Sequence, residues 1–558
     1  MTNTSGKRAF LQLARLISGA TDTQENETGI EADAIDAGHI EQAQRLAGLQ
    51  FTTQEREVMA ETISSQLSMY TARLNGIDLP DSLFPASVFK ALLPGHEIDR
   101  ATSKGDPSRL TKVTRDLPSD QQQIAYASIA ELSHWLKTRQ ITSVELTRLY
   151  LSRLKQMDTS LHCVITLMEE AGLAQAARAD EELAAGKWRG PLHGIPWGAK
   201  DLLDTKGVRT TWGATTHKDR VATDDAAVVE RLNDAGAVLI AKLSLGALAY
   251  GDIWFDGKTR NPWNPEEGSS GSSAGSACAT AAGLVGFALG SETCGSIVSP
   301  SLRCGTVGLR PTFGRVPRDG AMALCWSLDK IGPITRHVED TAPILAAING
   351  ASDGDPASVT EDLFCDVDAD VRGLRVGYDP RWFEGNDSSD IETKAIDALK
   401  TAGAQLVEIS LPDWPWDSLF TILLAEAAAA FESLTRSDRD DQLVWQEPEA
   451  WPNTFRQSWF IPAPELIQTD RFRRRCMEYF AEVFDGIDAI AAPSFVDGLI
   501  ISMNCTGHPS LTIPIDLKPS GSPHGITLIG RLFDEGTLLR LGSSIESRCW
   551  LSEPRMPV

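Results

Sequence analysis

Apolar residues return along this chain in two rhythms, one helical and one strand-like, and the point where they begin to alternate divides it. Thr52-Thr53-Gln54-Glu55 has the S/T-x-x-E form of a capping box, and after it Val58, Met59, Ile63, Leu67 and Tyr70 recur at helical spacing. The spacing predicts a helix over about 53–74. Pro80, Pro85 and Pro94 then interrupt the pattern, and residues 98–122 read as a polar linker. A second capping box, Thr142-Ser143-Val144-Glu145, opens an amphipathic helix expected to reach about Gln156. From there short apolar runs alternate with helical stretches. Strands are expected at 161–167, 193–199, 237–241, 374–378, 404–411, 487–492, 511–515 and 526–530. Helices are expected at 170–185, 225–235, 274–289, 339–349, 390–402, 417–434 and 465–483. Such alternation predicts an α/β fold, a mixed twisted β-sheet sandwiched between helices. Residues 1–35 are polar and acidic with little periodicity and read as a flexible arm, 36–119 as a helical appendage and linker, and 120–558 as one large domain.

Composition narrows the partners. Lys and Arg number 52 against 76 Asp and Glu, a formal net charge of −24 that repels nucleic-acid backbones and anionic membranes. Neither is expected as a partner. The basic run Arg471-Phe472-Arg473-Arg474-Arg475 reads as a solvated helix face on so acidic a chain. No apolar run reaches the roughly 18 residues of a membrane-spanning helix. Nine scattered cysteines form no C-x-x-C pair, and an odd count in no framework fits a reducing, cytoplasmic setting. Lys7-Arg8 before Phe10 and Leu11 shares part of a twin-arginine export pattern. Lysine replaces the first arginine, Arg15 interrupts the apolar part and no A-x-A site follows, so export is the lesser alternative. Metal-ligand spacings such as H-E-x-x-H are absent, and no metal or cofactor is expected.

The candidate chemistry lies in three segments. Lys200 stands in the strand-like stretch Pro191-Leu192-His193-Gly194-Ile195-Pro196-Trp197-Gly198-Ala199-Lys200-Asp201, among Trp197, Leu202 and Leu203. Apolar burial disfavours the ammonium form, and a neutral lysine can take a proton from a hydroxyl. Ser272 lies in the small-residue run Gly268-Ser269-Ser270-Gly271-Ser272-Ser273-Ala274-Gly275-Ser276-Ala277, which leads into a helix of small residues rather than a linker. Ser296 follows Gly295 in Glu292-Thr293-Cys294-Gly295-Ser296-Ile297. The amides of Thr293, Cys294, Gly295 and Ser296 can converge on one point and hold an oxyanion. A lysine and two serines of this kind can open an amide without histidine, one serine passing its proton through the other to the lysine.

These segments resemble the amidase signature family. Gly271 to Ala277 is similar to its GGSSGGSA, Cys294-Gly295-Ser296-Ile297 to its GGSI, and Pro191 to Asp201 to its PLxGIPxxVKD. Cys304-Gly305-Thr306-Val307-Gly308-Leu309-Arg310-Pro311-Thr312 is similar to its CGxxGxKPT. Ser327-Leu328-Asp329, Gly507-His508-Pro509-Ser510 and Arg531-Leu532-Phe533-Asp534-Glu535 extend the likeness over about 120–557. The resemblance implies that Lys200 is the base, Ser272 a relay serine held by a cis peptide, and Ser296 the acylated nucleophile. It also implies a mixed sheet of about eleven strands, an amidase signature catalytic domain over 120–558, and a small-molecule amide as substrate. The chain departs from the family at Val298, where arginine is usual, at Glu292, where aspartate is usual, and at Cys294, where glycine is usual.

Other readings stay open on the residues. The family also contains carbamate and ester hydrolases and the glutaminase subunit of an amidotransferase complex. A catalytically inactive scaffold is opposed by the intact lysine and serines. Cys294 as a nitrilase-type nucleophile would need another fold. His193 and His508 sit in structural motifs and are expected to pack or hydrogen-bond rather than serve as a catalytic base. The aromatic-rich stretch 413–460 (Trp414, Trp416, Phe420, Phe431, Trp445, Trp451, Phe455, Trp459, Phe460) suggests an apolar pocket, though core packing suits most of its members. A homodimer is among the assemblies the sequence allows.

Overall fold

The computed structural model describes residues 35–60, 62, 63, 73, 79, 80, 83–98, 105–384, 389–496 and 498–549. The sequence-predicted arm and much of the predicted 53–74 helix therefore fall outside the described residues. Two compact units are distinguished, one ending at Asp78 and one beginning at Leu79. In the first, a helix spans Ala37–Leu46, with Asp36 accepting from the Gly38 and His39 amides at its start. The capping box at Thr52 forms as expected: Glu55 N–H donates to Thr52 Oγ1, and Thr52 N–H to Glu55 Oε2. Residues 53–60 are helical.

The second unit is built on one 11-stranded sheet. In chain order its strands are β1 Val164–Leu167, β2 Pro196–Lys200, β3 Val238–Leu243, β4 Phe287–Glu292, β5 Val307–Arg310, β6 Lys330–Thr335, β7 Arg375–Tyr378, β8 Gln405–Glu408, β9 Ala489–Ala492, β10 Ser510–Leu517 and β11 Pro523–Gly530. Across the sheet they run β1-β3-β2-β4-β6-β5-β10-β11-β9-β7-β8. β2 is parallel to both its neighbours, β3 and β4, and β7 is parallel to β8 and β9. The other pairings are antiparallel, so the sheet is mixed as predicted. Helices flank it. Glu169–Ala184 packs on β3, Ala274–Ala281 on β4, and Glu535–Cys549 on β10.

The central strands explain why the site sits where it does. All five residues of β2 are buried, the mark of a strand covered on both faces. Trp197 stacks on Phe287 of β4 with ring centroids 5.8 Å apart. The helix Ser143–Leu161 starts at the predicted Thr142 box and buries Leu146, Tyr150, Leu154 and Leu161 along one face. It runs past Gln156 and ends where His162 turns left-handed.

Two expectations fail. The run 471–475 is not wholly a solvated helix face, since Arg473 is buried and donates to Ser327 Oγ. The helix predicted over 274–289 stops at Ala281, and β4 begins at Phe287. Gly283 adopts a φ of +60°, which closes the helix, and the apolar run Phe287-Ala288-Leu289 enters the sheet instead. Small buried residues fit either element, and periodicity could not separate them. Arg336, almost fully buried, fastens this turn: its guanidinium donates to the carbonyls of Thr280, Val285, Gly286 and Ala127.

Residues 83–98, broken by Pro85 and Pro94, form no helix or strand and lie against the catalytic body as a strap. Phe89 meets Phe313 edge-on at 5.0 Å, and Lys90 Nζ donates to Pro356 O. Of the aromatic 413–460 region, Trp414 and Trp416 pack with Phe472 and Phe480, and Trp451 stacks on Phe455. Trp459 and Phe460 are exposed.

Replacing Arg336 with methionine leaves three carbonyls of the turn, and that of Ala127, without their charged donor. The free energy of unfolding is expected to fall by about 2–4 kcal/mol, read from the midpoint and slope of chemical denaturation. A change below about 0.5 kcal/mol would show that the turn holds without it.

Candidate active site

Lys200 ends β2, and its amine is fully buried. Nζ lies 2.8 Å from Ser272 Oγ, 3.0 Å from Ser273 Oγ and 2.9 Å from Ser291 Oγ, with the Ser291 carbonyl at 3.3 Å. Among the described residues no carboxylate stands within 4 Å of it. Burial pulls its pKa well below the ordinary lysine value, against the weaker opposite pull of Asp329 and Glu292. Lys242, on the neighbouring strand, is equally buried but pairs with Asp201 at 3.0 Å. The two buried lysines differ in their partners: among the described residues Lys242 has a carboxylate and Lys200 only oxygens of Ser272, Ser273 and Ser291.

Ser272 approaches the amine through a loop that only glycine could make. The Gly271–Ser272 peptide is cis, and a Cβ on Gly271 would stand 1.8 Å from the Gly251 carbonyl. Asp252 accepts the Ser270 amide at 3.0 Å and anchors the loop from outside. Ser273 begins the helix Ala274–Ala281, and its hydroxyl also takes the Ser291 N–H at 3.1 Å. The Ser273 amide donates to the Ser296 carbonyl at 3.1 Å, tying the two serine loops together.

Ser296 stands in the turn between β4 and the helix Val298–Cys304, partly exposed. Gly295 before it has a φ of +88°. Among the described residues the amides of Thr293, Cys294, Gly295 and Ser296 have no hydrogen-bond partner, whereas those of Ile297 and Val298 both donate to Glu292 Oε2 at 2.8 and 3.0 Å. The turn therefore presents four unspent donors in a row. The Ser296 hydroxyl is likewise without a partner among the described residues, so its link to Ser272 is not formed in this structure. Lys200 and Ser272 are brought into contact; Ser296 is brought to the adjoining loop.

Glu292 holds this turn. Burial by itself would push its carboxyl up. The Arg310 guanidinium at 2.7 Å, the Val298 amide and Asn504 outweigh that and hold it at about 2. Arg310 also donates to the His508 carbonyl. The family departure at Glu292 is thus absorbed by a matching arginine. Asp329 supports the other side, accepting from Thr293 Oγ1 at 2.6 Å and from the Leu324 and Cys325 amides. Sequence reasoning alone missed Ser273 and Ser291 as lysine partners, and Asp329 as the partner of Thr293. Ser273 and Asp329 lie within recognised motifs; Ser291 lies in β4, whose first residues continue a helical spacing.

The competing residues fall away from the reacting centre. His193 bonds the Ala179 carbonyl and the Arg189 amide. His508 bonds Thr506 and stacks on Phe484, and burial holds its pKa down at about 3. Burial, with the Glu292 charge next in size, pushes the Cys294 thiol upward, away from a reactive thiolate. All nine cysteines are free. Among the described residues no cluster of His, Cys, Asp and Glu is placed to hold a metal, and no helix is long and apolar enough to cross a membrane. A cavity of about 300 Å³ reaches the centre at Ser291, Thr293 and Asp329, with Leu202, Met322 and Leu324 in its wall. None of the aromatic residues of 413–460 lines this cavity.

The profile of the Amidase family matches residues 145–498. The chain belongs to that family, and it is an enzyme that acts on carbon–nitrogen bonds. It is 35% identical over 469 residues to a glutamyl-tRNA(Gln) amidotransferase subunit from Roseiflexus sp. (strain RS-1), covering 75% of this chain and 96% of that one. Among solved structures it is similar to native peptide amidase from Stenotrophomonas maltophilia, with a TM-score of 0.71 and 29% identity over 79% of this chain and all of the other. A bacterial aryl acylamidase, 23% identical over 76% of this chain and 96% of that one, shares the fold with a TM-score of 0.68.

If Lys200 and Ser272 act as one relay, their losses will not add. Lys200→Ala and Ser272→Ala are each expected to lower kcat/KM by about 10³-fold or more, and the double variant to be little worse than the less active single. Near-multiplicative losses in a panel of the three proteins would mean that they act independently.

Proposed function

We propose that the protein is an amidase that hydrolyses a linear carboxylic amide through an acyl-enzyme on Ser296. The observation that carries the reading is the buried Lys200 amine, 2.8 Å from Ser272 Oγ and without a carboxylate partner among the described residues. A neutral Lys200 takes the Ser272 proton as Ser272 takes that of Ser296. Ser296 Oγ then bonds to the amide carbon, and the carbonyl oxygen gains charge in reach of the amides of 293–296. The relay returns a proton to the departing nitrogen, the C–N bond breaks and the acyl group stays on Ser296. Water enters by the same relay and releases the carboxylic acid. No metal or cofactor is required in this scheme, since lysine supplies the base and the backbone holds the oxyanion.

A second reading rests on the likeness, at 31–35% identity, to relatives named as subunits of glutamyl-tRNA(Gln) amidotransferase. There the same chemistry would release ammonia for a partner protein. The first is preferred because the cavity beside the centre has largely apolar walls, which suit a neutral organic group better than the zwitterionic end of glutamine.

A fluorophosphonate probe followed by peptide mapping, with a panel of anilides, aliphatic amides, carbamates and glutamine, tests both. The expected result is an adduct on Ser296 and hydrolysis of apolar amides by the chain alone. Ammonia from glutamine with no other turnover would favour the second reading. An adduct on a different serine would remove Ser296 as nucleophile.

A further inference from the structure

The strap at 83–98 lies outside the residues matched by the family profile, yet it reaches the cavity beside the catalytic centre. Phe84, half-buried, is part of the cavity wall, although the rest of that wall comes from residues 202 onward. Its ring lies over the Arg318 guanidinium at 5.0 Å, and Phe313 covers the same guanidinium at 4.7 Å. Arg318 is fixed by Asp355, which takes two of its N–H groups at 2.8 and 2.9 Å, and it donates to the Trp326 carbonyl at 2.6 Å. Trp326 lines the cavity too, three residues before the Asp329 that holds Thr293. A continuous set of contacts thus joins the strap to the loop beside the oxyanion turn.

The strap is seated rather than loosely draped. Ala91 and Leu93 are buried, Phe89 lies over Arg473 at 4.6 Å as well as against Phe313, and a Cβ on Gly507 would stand 2.7 Å from the Ala91 Cβ. The charged side chains of the wall are largely engaged. Arg318 is paired with Asp355, Asp329 accepts from Thr293 and two amides, Lys330 donates to the Leu328 carbonyl, and Asp319 accepts from Ser352 through Oδ2, its buried Oδ1 having no partner among the described residues. What remains facing the space is mostly apolar: Leu202, Met322, Leu324, Trp326 and Phe84.

We propose that the strap is the size-determining element of the substrate site, with Phe84 closing the cavity so that it accepts a compact, uncharged apolar or aromatic substituent of the scissile amide. The proposal rests on the amidase reading above. Phe84 is here a specificity-determining residue and takes no part in bond making. A cavity of about 300 Å³ lies at the small end of the range of small-molecule pockets.

The test is a series of 4-nitroanilides of straight-chain and aryl acids of increasing length, with a matching series lengthened on the amine side. Wild type, Phe84→Ala and Phe84→Trp are compared by the ratio of kcat/KM for long and short members, a readout that is independent of how much active protein is present. Wild type is expected to show a length beyond which kcat/KM falls. Phe84→Ala should move that length upward and raise the long-to-short ratio by about tenfold or more, and Phe84→Trp should move it downward. Should Phe84→Ala melt far below wild type, the larger side chain of Phe84→Trp still decides the question. A length limit that neither variant shifts would overturn the assignment of the strap and leave the amidase reading standing. Failure of wild type to hydrolyse any member of either series would overturn both.

Discussion

A lysine amine buried in the protein and held by serine oxygens is the constraint on which the rest of this site depends. Lys200 is brought there by the sheet. β2 lies between two parallel neighbours with both faces covered, and its last residue points into a pocket of serine oxygens. Desolvation then disfavours the charged form, and three hydroxyls give the amine partners without stabilising that charge as a carboxylate would. The folded protein binds fewer protons at Lys200 than the unfolded chain does, between the lowered folded-state pKa and the unfolded value of about 10.4. Keeping the amine neutral therefore costs stability below the unfolded pKa, and that cost fades as pH rises toward it. In the proposed mechanism the stability given up at this position supplies a base for the neutral to alkaline range.

Everything around the amine serves to keep charge at a distance while fixing geometry. Of the charges nearby, Asp329 is held by a hydroxyl and two amides, and others are matched in pairs one layer away. Glu292 is joined to Arg310 and to the first amides of the helix at Val298, and Lys242 to Asp201. Removing one member of such a buried pair strands the other, which makes these pairs part of the frame rather than sources of net stability. Glu292 holds the amides of Ile297 and Val298, while those of 293–296 stay uncommitted among the described residues and are the donors that the proposed mechanism turns on the oxyanion.

Much of this was legible in the sequence, unevenly. The Thr142 capping box, the strands at 374–378 and 487–492, and the long helix near 465–483 carried strong local signals and lie close to where they were expected. β4, β5 and β6 did not, because strands buried on both faces lack the alternation that marks a strand, and Gly290, Gly308, Gly332 and Pro333 break up their short apolar runs. That omission hid Ser291, one of the three serine partners of Lys200. Lys200 and Ser272 were legible through motif likeness, and the contact between them follows from strand order, which no local pattern encodes. The place of Phe84 in the cavity wall was invisible for the same reason. It sits in a proline-broken stretch read as a break between elements, and the guanidinium it covers belongs to a residue more than 200 positions further along.

The central claim is that Lys200 is neutral when the enzyme works. The direct measurement is a titration of the protein with ¹⁵N-labelled lysine by NMR, the Lys200 amine being identified by the signal lost in Lys200→Ala, alongside kcat/KM for an uncharged amide over the same pH range. The account predicts an Nζ that titrates well below about 10.4, with the rising limb of kcat/KM at the same pH. An Nζ that stays protonated to the ordinary lysine value, while kcat/KM has already reached its plateau, would contradict it.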